Sequence, residues 1–229
     1  MKFHITKIVL LFLLFSILSS QKNNELNQIL NNENDWIKLI EKEKITISLK
    51  NISGQSVHAL KIESKTNIPL KIIQDVIMDI NNYKSIFINS HGMETIEIDN
   101  NNNNIIAYQF IPINFPFFNH RHYLFKMKKN PLENKNKQKL IEWHLIPSIN
   151  EYTDSLINKK NDSIYLNTGA GSWTSYTNNK GEVILSYRLF MNPEGWIPNV
   201  FINRLNKINI VNIYKDVINE SKKRTKLNF

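Results

Sequence analysis

From residue 26 onward the spacing of apolar positions changes from helical to alternating and, near the end, back to helical. In 26–43 (LNQILNNENDWIKLIEKE), Leu26, Ile29, Leu30, Trp36, Ile37 and Ile40 stand near helical spacing with charge between them, which predicts a helix. The period then drops to two. Ile45, Ile47 and Leu49 alternate with Thr46, Ser48 and Lys50, and Ser53-Gly54-Gln55 turns the chain into a second strand, Val57 to Ser64. Pro69 suits a helix start, and 69–80 places Leu70, Ile73, Val76, Ile77 and Ile80 on one face. Glu94–Ile98 and Ile105–Ile113 read as a hairpin around the polar run Asn100 to Asn104.

A Phe/Pro-rich link, 114–118 (NFPFF), leads into a strand from Arg121 to Lys128. Polar loops are expected at 129–139 and 149–162, with strands at 140–146, near Ile164–Thr177 and at 182–190. Residues 196–220 read as a long amphipathic helix with Ile197, Phe201, Leu205, Ile208 and Val211 along one stripe. Runs of strands with single helices at the start, middle and end indicate an α+β domain over 26–220, without βαβ units. A curved antiparallel sheet around the C-terminal helix would enclose an interior space. Residues 221–229 follow as a basic tail.

The first twenty residues belong to another layout. Lys2 and Lys7 precede an apolar run from Ile8 to Leu18, closed by Ser19 and Ser20, and the chain turns polar at Gln21. This is the three-part pattern of a secretory signal peptide, and the run is about half the ~20 residues a membrane span needs. Residues 1–20 are read as a cleaved signal, with an uncleaved interfacial anchor as the alternative. The protein is then exported, periplasmic or secreted. Three sequons, at Asn51, Asn161 and Asn219, are expected by chance in a chain so rich in Asn.

Composition narrows the chemistry. The 229 residues contain no cysteine, which excludes disulfides, thiolate metal sites and thiol nucleophiles. The formal charge is +9, but it comes from lysines scattered along the chain, apart from the runs Lys126, Lys128, Lys129 and Lys222, Lys223, Arg224, Lys226, in a composition of the kind AT-rich coding produces. Nucleic-acid binding is not expected; a weak attraction to anionic membrane surfaces is. His120, His122 and His144 could meet on neighbouring strands, but alternation puts His122 and His144 on the lysine-bearing face, so no metal is assigned. Gly169-Ala170-Gly171 lacks the rest of a phosphate loop and reads as a strand bend. Asp75 and Asp79, one helical turn apart, read as solvated carboxylates.

Alternation also sorts the strands. In 121–128, Lys126 and Lys128 face water, so Arg121, Tyr123, Phe125 and Met127 face inward. In 140–146, Glu142 and His144 point out, leaving Ile141, Trp143 and Leu145 inside. In 182–190, Glu182, Ser186 and Arg188 point out, leaving Val183, Leu185, Tyr187 and Leu189 inside. Such a wall fits a pocket for an apolar ligand or an ordinary filled core, and alternation alone does not choose.

Four stretches carry a resemblance. They are 36–62, with an early Trp, a strand, a Gly-Gln turn and a Lys-bearing strand; 68–80, Ile-Pro and a helix ending in Asp79; 115–128 (FPFFNHRHYLFKMK); and 171–205 (GSWTSYTNNKGEVILSYRLFMNPEGWIPNVFINRL). In that order they resemble a START domain, the lipid-transfer branch of the helix-grip proteins, over about residues 30–220. The chain departs from the pattern where His122, not Asp, follows Arg121, and where Met127 stands in the place of a buried Arg of some sterol-binding members.

The resemblance implies an internal cavity and non-catalytic binding, with or without transfer, of a lipid or other hydrophobic ligand by a monomer without cofactors. The expected ligand-facing residues are Tyr108, Arg121, Tyr123, Phe125, Met127, Trp143, Leu185, Tyr187, Phe201 and Leu205, with Arg121 or Tyr187 holding a polar head. Phe115, Phe117, Phe118 and Trp196 would form the lid and touch the membrane. The alternatives are a helix-grip enzyme of cyclase or hydrolase type, and a secreted interaction protein with a filled core.

Overall fold

The computed structural model describes residues 23, 25–42, 44–89, 92–113, 118–133, 136–159, 162–195 and 199–227, and only the backbone of 199–206. In chain order these form α1 (25–31), β1 (Ile37–Lys42), β2 (Ile45–Asn51), β3 (His58–Lys65), α2 (Leu70–Met78), a 3-10 turn (Ile80–Asn82) and α3 (Tyr83–Ile86). Then follow β4 (Glu94–Asn100), β5 (Asn104–Ile111), β6 (His120–Lys129), β7 (Lys137–Ile146), α4 (Glu151–Asn158), β8 (Ser163–Tyr165), β9 (Gly169–Thr177), β10 (Val183–Met191) and α5 (Asn199–Leu227). The strands make one sheet ordered β1-β2-β3-β10-β9-β7-β6-β5-β4, antiparallel throughout except that short β8 runs parallel to the start of β6. This is the α+β helix-grip architecture: a long antiparallel sheet with α5 and α2 packed on one face.

The grip rests on apolar side chains meeting at the sheet's inner face. Ile73, Val76 and Ile77 of α2 and Ile210, Tyr214 and Val217 of α5 pack into one core with Ile62, Phe125, Ile141, Leu145 and Leu185. Spacings of three and four residues put Ile210, Tyr214 and Val217 on one stripe of the helix. Ile208, expected on that stripe, is exposed, because it lies two residues from Ile210 and so on another side of the helix. Helix α5 also runs to Leu227, so residues 221–227, expected as part of a tail, are helical. There Arg224 bonds Glu220 and reaches across to Asp79 at 2.6 Å. Asp79 is thus held in an ion pair that ties α5 to the end of α2, and Asp75 pairs with Lys71 and Lys129.

The opposite face is also covered, which the strand pattern did not reveal. The segment expected as one helix over 26–43 splits, because Asp35 adopts a left-handed φ of 66° and residues 37–42 pair with β2. Only 25–31 stay helical. They lie across the outer face, where Asn23 Nδ2 donates to the carbonyls of Leu145 and Asn167, and Asn27 Nδ2 to that of Trp143. Further along, 151–158, expected as loop, is helical. Asn150 accepts from the Thr153 N–H while Thr153 Oγ1 accepts from the Asn150 N–H, a reciprocal cap. Leu156 and Ile157 of this helix then cover Tyr108, Phe110, Leu124 and Ile146.

Arg188, expected to point into water, is completely buried on this outer face. Its Nη1 donates to the Leu30 carbonyl at 3.1 Å and its Nη2 meets Glu33 at 2.6 Å. Lys137 and Lys61 also reach Glu33. Burial pushes the Glu33 carboxyl up, but the Lys137 bond and the charge and bond of Arg188, helped by Lys61, outweigh it and hold its pKa down at about 2. A carboxyl lowered in the folded state adds stability above its unfolded pKa and loses it as pH falls through the folded value. Glu33→Gln is therefore expected to cost about 1 kcal/mol near neutral pH, the half-exposed side chain being screened. The difference from wild type should shrink as pH falls from about 4.5 towards 2, read by urea unfolding at each pH.

Candidate functional site

Between the inner face and the helices lies a space of about 90 Å³. Sheet side chains form one wall: Tyr123, Phe125 and Met127 from β6, Trp143 from β7, Trp173 from β9 and Tyr187 from β10. Ile77, Tyr83 and Phe87 close it from the α2–α3 side, and Ile213 and Val217 from α5. Among the described residues that line it none is Asp, Glu, His, Lys or Arg. Polar atoms are few and already engaged. Tyr123 Oη donates to Gln109 Oε1 at 2.6 Å, and Gln109 Nε2 donates to Thr95 Oγ1 at 3.2 Å and to the Met93 sulfur. The Tyr83 hydroxyl donates to the Ile77 carbonyl. Burial pushes the hydroxyls of Tyr83, Tyr123 and Tyr187 far above the ordinary tyrosine range, so all stay neutral.

Aromatic rings set the shape of the space. Trp173 lies parallel to Tyr187, with centroids 4.2 Å apart, and parallel to Tyr214, with centroids 5.6 Å apart. Tyr214 in turn donates to the Leu185 carbonyl at 3.0 Å and bonds Ser64 at 2.8 Å. The Trp143 ring needs room that only glycine provides, since a Cβ on Gly171, its cross-strand partner, would meet the ring at 2.6 Å. A second, open groove of about 570 Å³ adjoins the space between α3 and β4. It shares Tyr83, Phe87 and Met93 with the inner wall, so these three side chains stand between the interior and water.

The structure brings only some of the expected site residues together. Tyr123, Phe125, Met127, Trp143 and Tyr187 come together around the space. Leu185 is buried in the same core without lining it. Tyr108 lies on the other face, bonded to His122 Nδ1 at 3.0 Å beneath α4. Its neighbour Gln109 faces inward instead. The β5 stretch is apolar at both parities, so alternation could not choose between them, and a one-residue slip moves a side chain across the sheet. Trp173 and Gln109 were missed. Trp173 could have been found, since it sits opposite Tyr187 by simple register.

Arg121 is buried, but its donors are spent on the backbone. Nε bonds the Pro193 carbonyl at 2.6 Å, Nη2 that of Glu194 at 2.9 Å, and Nη1 that of Asn119. Burial lowers its pKa, opposed by Glu194, and it clamps the β10–α5 link to the start of β6. Phe118 packs beside the outer-face cluster with Trp36. The side chains of Phe201 and Leu205, and the whole of Phe115, Phe117 and Trp196, lie outside the described residues, as do residues 1–20, expected as a signal peptide. His122 is buried against Tyr108 and Tyr165. No cluster of three metal-ligating side chains occurs among the described residues.

A sheet of this order gripping one long C-terminal helix is the fold of START lipid-transfer domains. Human StAR-related lipid transfer protein 5 is 11% identical, with a TM-score of 0.66 over 91% of this chain and 96% of that one. The STAR-related lipid transfer protein of Xanthomonas axonopodis (fragment 25–204) is 12% identical, with a TM-score of 0.64 over 82% and 99%. Human STARD10 gives 15% and 0.62 over 91% and 84%. The sequence matches no protein-family model and no curated protein.

Two substitutions test this geometry. Gly171→Ala should push the Trp143 ring out of place and cost about 1–3 kcal/mol, read by chemical denaturation with a change in tryptophan fluorescence. Arg121→Leu strands several buried carbonyls and should cost about 2–4 kcal/mol in thermal or urea unfolding. Any loss of ligand binding should then be equal for charged and neutral head groups, measured by displacement of a fluorescent fatty acid.

Proposed function

We propose that this protein binds a lipid or other hydrophobic ligand inside the grip, without a catalytic step, and that the enclosed part of the ligand is uncharged. The observation that carries the reading is the lining: aromatic and aliphatic side chains, one amide–phenol pair and no charge among the described residues. Burying an unpaired carboxylate or phosphate there would cost several kcal/mol, whereas each CH₂ of an acyl or ring system gains about 0.8 kcal/mol. Gln109 Nε2 now rests partly on a thioether, a weak acceptor, so a ligand hydroxyl or carbonyl would be a better partner. The likeness in fold to lipid-transfer proteins supports the same reading.

At about 90 Å³ the space is well below the roughly 300–1,000 Å³ of ligand pockets. Binding therefore requires the grip to open. Tyr83, Phe87 and Met93 line both the space and the open groove outside it, so entry between α3 and β4 is the route this wall favours. The layout of residues 1–20 supports export of the protein, and its basic charge supports transient contact with anionic membranes.

Native mass spectrometry of the purified protein, before and after incubation with mixed liposomes, tests the reading. The expected result is a stoichiometric adduct that organic extraction shows to be a lipid. Met127→Trp should fill the space and lower uptake at least tenfold while thermal unfolding stays within a few degrees of wild type. A bare mass with no uptake, or full uptake by Met127→Trp, would overturn it.

A further inference from the structure

The lysines that look scattered along the sequence do not stay scattered in the fold. Lys44 before β2, Lys65 at the end of β3, and Lys215, Lys222 and Lys226 of α5 line one open groove of about 820 Å³. All five are exposed. Among the described residues no Asp or Glu lines the groove; Glu182 meets Lys65 from beside it, at 2.9 Å, and Glu220, the acid of the last helical turns, is turned away towards Lys223 and Arg224. Ile45, Ile68 and Ile218 lie between the charges, beside the polar Ser64, Thr66, Asn67, Asn219 and Thr225.

From this juxtaposition we infer a second binding surface, distinct from the interior space, that docks the protein on the phosphate head groups of an anionic bilayer. Three features favour a bilayer over a single small anion. Lys215 to Lys226 span eleven residues of helix, about 16 Å, which exceeds one phosphate and suits a row of head groups. Lysine stems lie along apolar surface while their ammonium groups reach outward, and the isoleucines supply that surface. All five cations are lysines, point charges that need no fixed bidentate partner. The surface does not rest on the reading of the interior: either can fail alone.

Co-sedimentation with phosphatidylcholine vesicles, with and without phosphatidylglycerol, tests the docking surface. Wild type should sediment only with the anionic vesicles, and less so as salt rises. Each lysine near such a surface contributes about fivefold, so the double change Lys222→Gln and Lys226→Gln should weaken binding roughly 30-fold. A control with the same charge, Lys126→Gln with Lys128→Gln on the outer face of β6, should sediment like wild type. Liposome-loaded native mass spectra should be the same for all three proteins. Equal loss in the control would reduce the effect to net charge and overturn the site. Binding of soluble glycerol phosphate without vesicle binding would overturn the bilayer as its occupant. Unchanged sedimentation of the groove variant, or none by wild type, would overturn the docking surface itself.

Discussion

The parallel stack of Tyr187, Trp173 and Tyr214 is the contact on which the rest of the structure depends. Two of its rings stand on adjacent strands and the third on α5, so it couples the sheet directly to the helix it grips. Aromatic pairs gain up to about 1.5 kcal/mol beyond their buried area, and this triple layer also fixes the helix at a set height above the sheet. That height is what leaves a narrow space beside the stack and keeps it narrow. The hydrogen bonds of Tyr214 to Ser64 and to the Leu185 carbonyl hold the third ring in register.

A sheet nine strands across, with apolar clusters on its outer face as well as its inner one, has to be covered twice. The inner face takes α2, α3 and α5. The outer face takes α1, through asparagine side chains that bond strand carbonyls, and α4, through Leu156 and Ile157. The outer cover explains why a fully buried arginine is tolerated: Arg188 sits under α1 with Glu33 and the Leu30 carbonyl as partners, so its charge is compensated where it is desolvated. Arg121 obeys the same rule with backbone carbonyls as partners. Both arginines are structural clamps, and neither offers charge to the interior. The consequence for function is a neutral inner wall, with the protein's positive charge left on the outside, where it gathers beside the C-terminal half of α5.

Much of the architecture was legible before any coordinates. The change of period marked β2, β3, the β4–β5 hairpin and β10, and Pro69 marked α2, because half-buried strands and amphipathic helices must alternate or repeat to bury one face. The Gly-Ser-Trp stretch and the order of elements gave the helix-grip fold. The candidate site was half legible. On β6 and β7 lysines, Glu142 and His144 mark one parity as wet, so the other parity could be read. On β5 no such marker exists, and Tyr108 and Gln109 exchanged places.

The amino-acid order by itself determined most of the strands, helix α2 and the long helix that closes the chain, since these follow from local periodicity and from turn residues such as Gly54 and Asn102, whereas β1 and α4 were decided by the pairing and packing of distant segments. Only the tertiary structure decided how deep a polar residue lies, because facing away from one core is not the same as facing water. Arg188 and His122 are buried by helices that come from elsewhere in the chain. In the same way, lysines 44, 65, 215, 222 and 226 are neighbours only because β3 returns beside α5. Charge density is a property of a surface, and the surface exists only once distant segments have packed.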